Sequence, residues 1–528
     1  MFDLNEIRSE IQQRKAFLVP AGLAFLYSLF TAYNRWRYQP RNVPILPGNW
    51  WLGPFWNLSV TYRMVRAALL HKQFELHRAS HEALGPTFAM KMIMTPWWIV
   101  TRDPKNLEHI LTKNFDNYPK GTWFTSTLHE LLGDGIFNVD GDLWYHQRKV
   151  SSHMFTAKLF KEHIWAVVQQ NAGRLQALLE STREGEVVDV FNFLNRFTLD
   201  TIGEIGFGKD IGSLADPSSP FLKCFDKSQA TAAFRFFNPL WRLGRLTGIG
   251  AEKDMDNMMK VLDTYTRTVG QELRDAIANC PSPIKIEGAT KQKNSMNSFV
   301  GIFLHDAQKR GEQMSDRFLR DLVLNFLLAG RDTTAQALSW TIFALTQHPE
   351  VAQTARDEIA SVCGNRPPTY EELNKLPYVQ AVINEHATWD AWDGLRLYPS
   401  VPLDMKRAEN DDTLPDGTFV PRGTAIFYNI YAMGRDTKLW GPDASEFKPE
   451  RWLNMNGPVD SYVFPVFNAG PRECLGKRLA QVEMKACLAY LLPSFSFKLA
   501  VPAEDITPDS QLTFGMSSGL PCYVEKLS

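Results

Sequence analysis

Near the C-terminus, Phe467-Asn-Ala-Gly470-Pro-Arg472-Glu-Cys474-Leu-Gly476 sets one cysteine among an aromatic, two glycines and an arginine. A thiolate that ligates a haem iron needs backbone N–H donors to hold its charge, glycines that let the chain approach the porphyrin, and a cation for a propionate. Gly470, Gly476 and Arg472 can meet those needs, with Cys474 as the axial ligand and Phe467 as the aromatic of the frame. A lone cysteine is ordinarily one more small buried hydrophobe. Four companions at fixed offsets set this one apart.

Two further groups carry chemistry. Trp144 and Arg148, in Asp140-Gly141-Asp-Leu-Trp144-Tyr-His-Gln-Arg148-Lys149, are four residues apart and share one face of a helix. An indole N–H and a guanidinium so placed can jointly hold a carboxylate. From Arg317 to Gln347, apolar residues recur at helical spacing (Phe318, Leu322, Phe326, Ala329, Ala337, Trp340) and predict one long buried helix. Its centre, Ala329-Gly330-Arg331-Asp332-Thr333-Thr334, breaks the pattern with residues that cost helix propensity or desolvation. Such costs often mark function. Gly330 permits a local widening that admits dioxygen, and Thr333 with Asp332 can pass protons to oxygen held there. The competing reading is a glycine for helix packing and a hydroxyl bonded to its own backbone.

The elements that must position these residues belong to one large unit behind an anchor. Lysine plus arginine number 57 against 58 aspartates and glutamates, so no polycation is available for nucleic acid and no acidic tail solvates the chain. The six cysteines (224, 280, 363, 474, 487, 522) lack metal-ligand or disulfide-framework spacing, which fits a reducing compartment. Residues 16–33 are apolar and long enough to span a bilayer. Arg14 and Lys15 precede them, Arg35, Trp36, Arg37 and Tyr38 follow, and no small-residue cleavage site is evident. Residues 1–39 are therefore expected to carry a single transmembrane helix. Residues 40–528 form the catalytic domain, joined by a stiff connector at Pro40, Pro44 and Pro47-Gly48. The polar stretch 280–297 is expected to be a surface loop.

The Cys474 loop resembles the haem-binding loop of the cytochrome P450 family, and the resemblance runs from Pro44 to the C-terminus. Trp144 and Arg148 resemble that family's propionate-binding pair, and Ala329 to Thr334 its oxygen-activation helix. Phe447-Lys-Pro449-Glu450-Arg451-Trp452 resembles its Pro-Glu-Arg segment, whose arginine joins a Glu-x-x-Arg pair in a buried charge network. Here the chain departs from its family. Between Glu385 and Leu395-Arg396, where the family has one residue, stand His386 to Gly394. If the helix continued, Glu385 and Arg396 would lie about 16 Å apart, too far for an ion pair. Asp393 could substitute as the partner of Arg396, or the insert could loop out and leave Glu385 in place. A translated splice-site error is the third reading.

The resemblance implies a mainly α fold, the P450 triangular prism with a small β-rich lobe. It implies haem b (iron protoporphyrin IX), O2, and electrons from NADPH through a separate NADPH–cytochrome P450 reductase. Location in the endoplasmic-reticulum membrane with a cytosolic catalytic domain follows from the same likeness. Asp103-Pro-Lys-Asn106-Leu-Glu-His-Ile110, Phe115-Asp-Asn-Tyr118-Pro-Lys-Gly121 and Asn410-Asp-Asp-Thr-Leu-Pro415-Asp-Gly417-Thr-Phe-Val-Pro421 resemble the fatty-acid and alkane ω-hydroxylase branch. Hydroxylation of a long-chain lipid at its end is the expectation. By analogy, Leu131, Phe236, Phe237, Ala329, Leu403 and Met516 face substrate, and Lys149, Lys477, Arg478 and Lys485 attract an acidic flavin domain. The rivals are a P450 acting on another lipid, a sterol or a xenobiotic, and an inactive haem-binding membrane protein or defective gene product owing to the insert.

Overall fold

The computed structural model describes Leu29, Tyr33 and residues 37–48, 57–238, 240–278, 298–364, 366–385, 387, 388, 392, 393, 395–455, 457–510 and 512–527. The expected anchor, save Leu29 and Tyr33, and the whole 280–297 stretch lie outside them. Among the described residues no helix is long and apolar enough to cross a membrane.

The chain is mainly helical, with small sheets at its margins. Two strands rich in aromatic and β-branched residues, β1 (Thr87–Lys91) and β2 (Trp97–Thr101), form an antiparallel hairpin with Thr87 opposite Thr101. The helices that frame the site are α1 (Gly121–Leu132), α2 (Gly141–Ser152), α3 (Val190–Phe207), α4 (Pro220–Phe234) and α5 (Met255–Ala278).

A continuous rod then crosses the core, made of α6 (Asp316–Leu327), a π-helical turn (Leu328–Asp332) and α7 (Thr333–Gln347). It starts where the Ser315 hydroxyl accepts a bond from the Phe318 N–H at 3.2 Å, with Asp316 in the first turn. It stops at Gln347, two residues before Pro349, which begins the next helix. The long helix expected from the sequence is present, and its widening falls on Gly330. Helix α3 packs there so closely that a Cβ on Gly330 would lie 2.4 Å from Ile202 Cγ1.

Helix α8 (Pro377–Glu385) ends at Glu385, and this decides the fate of the insert. Strands β3 (Ala387–Thr388) and β4 (Trp392–Asp393) pair antiparallel, Ala387 opposite Asp393 and Thr388 opposite Trp392. The Arg396 N–H then donates to the Asn384 carbonyl at 3.3 Å, so the chain returns to the point it left. The helix does not continue, and the wide separation that continuation would impose does not arise.

Strands β5 (Asp404–Arg407) and β6 (Ala425–Tyr428) complete a four-stranded sheet of order β1-β2-β6-β5. Strand β6 runs parallel to β2 and antiparallel to β5, in a register that sets Asp404 opposite Tyr428. Helix α9 (Lys477–Leu491) follows the cysteine loop into the main core.

Candidate active site

The Cys474 loop closes on itself: the Cys474 N–H donates to the Phe467 carbonyl at 2.8 Å, and the Glu473 N–H to the Gly470 carbonyl at 3.0 Å. Gly470 has φ of +66°, and a Cβ there would stand 2.3 Å from the Leu111 carbonyl oxygen. Backbone and space both demand glycine. Burial raises the thiol's pKa, while the backbone N–H groups of Gly476 and Lys477 and the charge of Arg148 act to lower it. Cys474 is nevertheless exposed. A side chain hemmed in by protein yet reachable lines an interior cleft rather than the outer surface.

Cations gather beside it. Trp144 is buried, with the Arg472 guanidinium 4.4 Å and the Arg148 guanidinium 5.9 Å from its ring centre. Arg148 Nη1 donates to the Glu473 carbonyl at 2.7 Å, and Arg472 Nη2 to Asp140 Oδ1 at 2.6 Å. The structure thus brings Trp144 and Arg148 of α2 to Arg472 and the cysteine loop. Next to them Lys120 Nζ donates to Asp404 Oδ1 at 2.8 Å, and the Tyr428 hydroxyl donates to the same carboxylate. Lys406 Nζ lies 3.8 Å from Asp404 Oδ2, fully buried and without a hydrogen-bond partner. Burial, with Lys120 close by, pushes its amine well below the usual range.

On the central rod, every residue from Asp321 to Leu345 is buried except Ala329, Gly330 and Thr333. Ala329 and Thr333 are one turn apart and share a face, which therefore opens on internal space. Thr333 Oγ1 donates to the Ala329 carbonyl at 2.7 Å, and the Thr333 carbonyl accepts from Ser400 Oγ at 2.8 Å. Burial raises Asp332 to a pKa of about 6, with Arg331 lowering and Asp226 raising it. Of the expected substrate-facing residues, Leu131 and Met516 are buried, whereas Phe236, Phe237 and Leu403 are half-buried. Phe236 packs against Trp123 at 5.5 Å and Phe124 at 5.7 Å between ring centres.

Glu385 and Arg396 meet despite the insert. Arg396 Nε donates to Glu385 Oε2 at 2.8 Å and its Nη2 to Oε1 at 2.9 Å, both residues being inaccessible to solvent. Arg451 Nε reaches Oε1 at 3.1 Å, Trp452 Nε1 reaches Oε2 at 2.8 Å, and the Lys448 N–H adds a bond to Oε1 at 3.1 Å. Arg396 also donates to the carbonyls of Gly434, Ala444 and Glu446. A Cβ on Gly434 would fall 1.7 Å from the Arg396 carbonyl oxygen, so this approach requires glycine.

Residues 50–521 match the family described as Cytochrome P450. The chain belongs to the cytochrome P450 family. It is 36% identical over 454 residues to Cytochrome P450 86B1 of Arabidopsis thaliana, covering 80% of this chain and 77% of that protein. To Cytochrome P450 94C1 of the same plant it is 36% identical over 449 residues, covering 81% and 85%. Cytochrome P450 CYP94D109 of Paris polyphylla matches at 36% over 453 residues, covering 82% and 86%.

This P450 is a monooxygenase, and its family implies haem, O2 and a redox partner. The residues present fit a haem. An accessible thiol sits among N–H donors, and four basic side chains (Arg148, Arg472, Lys120, Lys406) surround two carboxylates (Asp140, Asp404), one amine being left without a hydrogen bond. A bound propionate would supply the missing anion.

Sequence reasoning did not single out Lys120, Asp404 or Lys406, because only the register of β5 on β6 makes Lys406 an inward residue. Nor did it single out Asp443, which Arg451 contacts at 2.9 Å. Three of the four surface cations proposed for partner docking are engaged locally: Lys477 with Glu473 at 2.9 Å, Lys485 with the Leu373 carbonyl at 3.1 Å, and Arg478 over the Phe160 ring at 4.7 Å.

Proposed function

We propose that this P450 hydroxylates the terminal carbon of long-chain fatty acids or alkanes, with Cys474 as the thiolate that would hold the iron of haem b. The accessible thiol inside a cation-rich cradle is the observation that carries the chemistry. The substrate class rests on the runs at 103–121 and 410–421 that resemble the ω-hydroxylase branch. The aromatic group of Phe236, Phe237, Trp123 and Trp98 supports it, as apolar walls suit an alkyl chain.

When bound, the haem supplies dioxygen activation and insertion of one oxygen atom into a C–H bond. Each side chain then has a task. Cys474 contributes electron density as a thiolate, held by the N–H groups of Gly476 and Lys477. Trp144, Arg148 and Arg472 would hold the propionates, joined by Lys406; Phe467 and Gly470 shape the loop. Asp332 carries a proton inward from its buried position beside the widened turn, and Thr333 Oγ1, on the more open face, hands it on. Glu385, Arg396 and Arg451 anchor the segments beneath the loop. Electrons come from an NADPH–P450 reductase, and residues 16–33 tether the protein to the endoplasmic-reticulum membrane with its catalytic domain in the cytosol.

The test is product analysis with purified protein, reductase and NADPH against a panel of lipids. Terminal alcohols should dominate with long-chain fatty acids. Mostly mid-chain products, or turnover only of rigid polycycles, would favour the sterol or xenobiotic reading. Absence of a thiolate-type carbon-monoxide spectrum would favour an inactive haem protein or a defective product.

A further inference from the structure

Arg331 stands beside the residue assigned to proton delivery and is shared between two carboxylates. Its Nη1 and Nη2 both bond Asp226 on α4, the second at 3.4 Å, while the same Nη1 lies 3.2 Å from Asp332 Oδ1. The Arg331 and Asp332 side chains are 8% and 6% exposed, but Asp226 is 48% exposed. The trio therefore runs from solvent to the buried turn. Arg331 Nε is buried with no hydrogen-bond partner, so the guanidinium is held from one end only. Gln229, one turn beyond Asp226 on α4, lies close enough to Asp332 for its side chain to favour the ionised form. Helix α4 thus addresses Asp332 twice, directly and through Arg331.

We propose that Asp226 is a positioning residue which, through Arg331, makes proton delivery by Asp332 depend on the placement of helix α4. The inference rests on the reading of Asp332 as proton carrier. The physical basis is competition for one permanently charged guanidinium. Held by Asp226, Arg331 gives Asp332 only part of its charge, and the buried acid can take up a proton. Released from Asp226, Arg331 pairs fully with Asp332, which then stays ionised and has no proton to give. The charges acting on Asp332 are those of Arg331 and Asp226, while α3 presents the apolar Ile202 to the same turn. Beyond its last residue, Phe234, α4 leads straight to Phe236 and Phe237 in the aromatic wall. A lipid chain that moves those rings moves the helix that holds Arg331.

The test compares full-length, haem-loaded Asp226→Asn, Asp226→Glu, Gln229→Leu and Asp332→Asn with wild type. Two readouts are needed: product formed per NADPH as a function of pH, and infrared titration of the carboxyl band that disappears in Asp332→Asn. Delivery needs the acid form, so the wild-type ratio should fall as pH rises through about 6. Asp226→Asn should lower the infrared midpoint by about one pH unit or more and lower the ratio with it. Asp226→Glu should restore both. Gln229→Leu removes a polar neighbour that favours the ionised form and should move the midpoint upward, an opposite shift that general damage to the helix would not give. Unchanged midpoint and ratio in Asp226→Asn would overturn the inference, as would same-direction shifts in Asp226→Asn and Gln229→Leu. If Asp332→Asn itself leaves the ratio at the wild-type value, the proton-carrier reading fails instead.

Discussion

The charge network at Glu385 and the cradle beside Cys474 are built from the same side-chain types, but one is closed and the other is not. Glu385 accepts five hydrogen bonds, from Arg396 Nε and Nη2, Arg451 Nε, Trp452 Nε1 and the Lys448 N–H. In the cradle, Lys406 has no hydrogen-bond partner, cations outnumber carboxylates, and the thiol remains reachable. Buried polar groups are normally satisfied within the fold. A region that meets this rule holds segments together; in the cradle the unbonded amine stands close to a reachable thiol, and a ligand's anion would complete the set. Arg396 against Gly434 shows the first kind of packing, with backbones in contact. Gly470 against the Leu111 carbonyl shows the chain tightened instead to hold an open loop.

Three substitutions and one excision break or sharpen that contrast. Cys474→Ser should abolish the thiolate-type Soret band of the reduced carbon-monoxide complex and all turnover while leaving the Glu385 network folded; an unchanged spectrum would remove the cysteine from its role. Glu385→Ala leaves Arg396 buried without its carboxylate and should cost about 3–5 kcal/mol of stability, read as a lower melting temperature and reduced haem content. Lys406→Met acts only on the open region. It removes a buried amine assigned to a propionate and should speed haem transfer to an excess of apomyoglobin at least about tenfold. An unaltered transfer rate would show that Lys406 serves Asp404 alone. Smallest of all should be excision of His386, Ala387 and residues 389–394, which leaves Glu385-Thr388-Leu395-Arg396. The hairpin already returns Arg396 to Glu385, so the change in stability should stay within about 0.5 kcal/mol. A large gain in melting temperature or haem content on excision would show that the insert strains the network.

Much of the site was legible in the sequence because local rules govern it. Cys474 with Gly470 and Arg472 forms one short loop; Trp144 and Arg148 share a face at helical spacing; Gly330 allows the π turn between α6 and α7. Such features depend on offsets of a few residues, and backbone geometry fixes those wherever the segment packs. The direction taken by the insert was not legible. A continuing helix, a substitute acid and a looped excursion are all compatible with the residues, and the strand pairing of Ala387 with Asp393 and Thr388 with Trp392 decides among these geometries.

The sequence by itself determined the family, the helical rod with its widened centre and the cysteine frame, because each is written in spacing along a single segment. Only the tertiary structure decided that Arg472 lies over Trp144, that Lys406 is an inward amine without a bond, and that Arg331 is divided between Asp226 and Asp332. These contacts join segments far apart in the chain. Their energy comes from burial and shared charge, and neither exists until the sheet register and the packing of α4 on the rod are set.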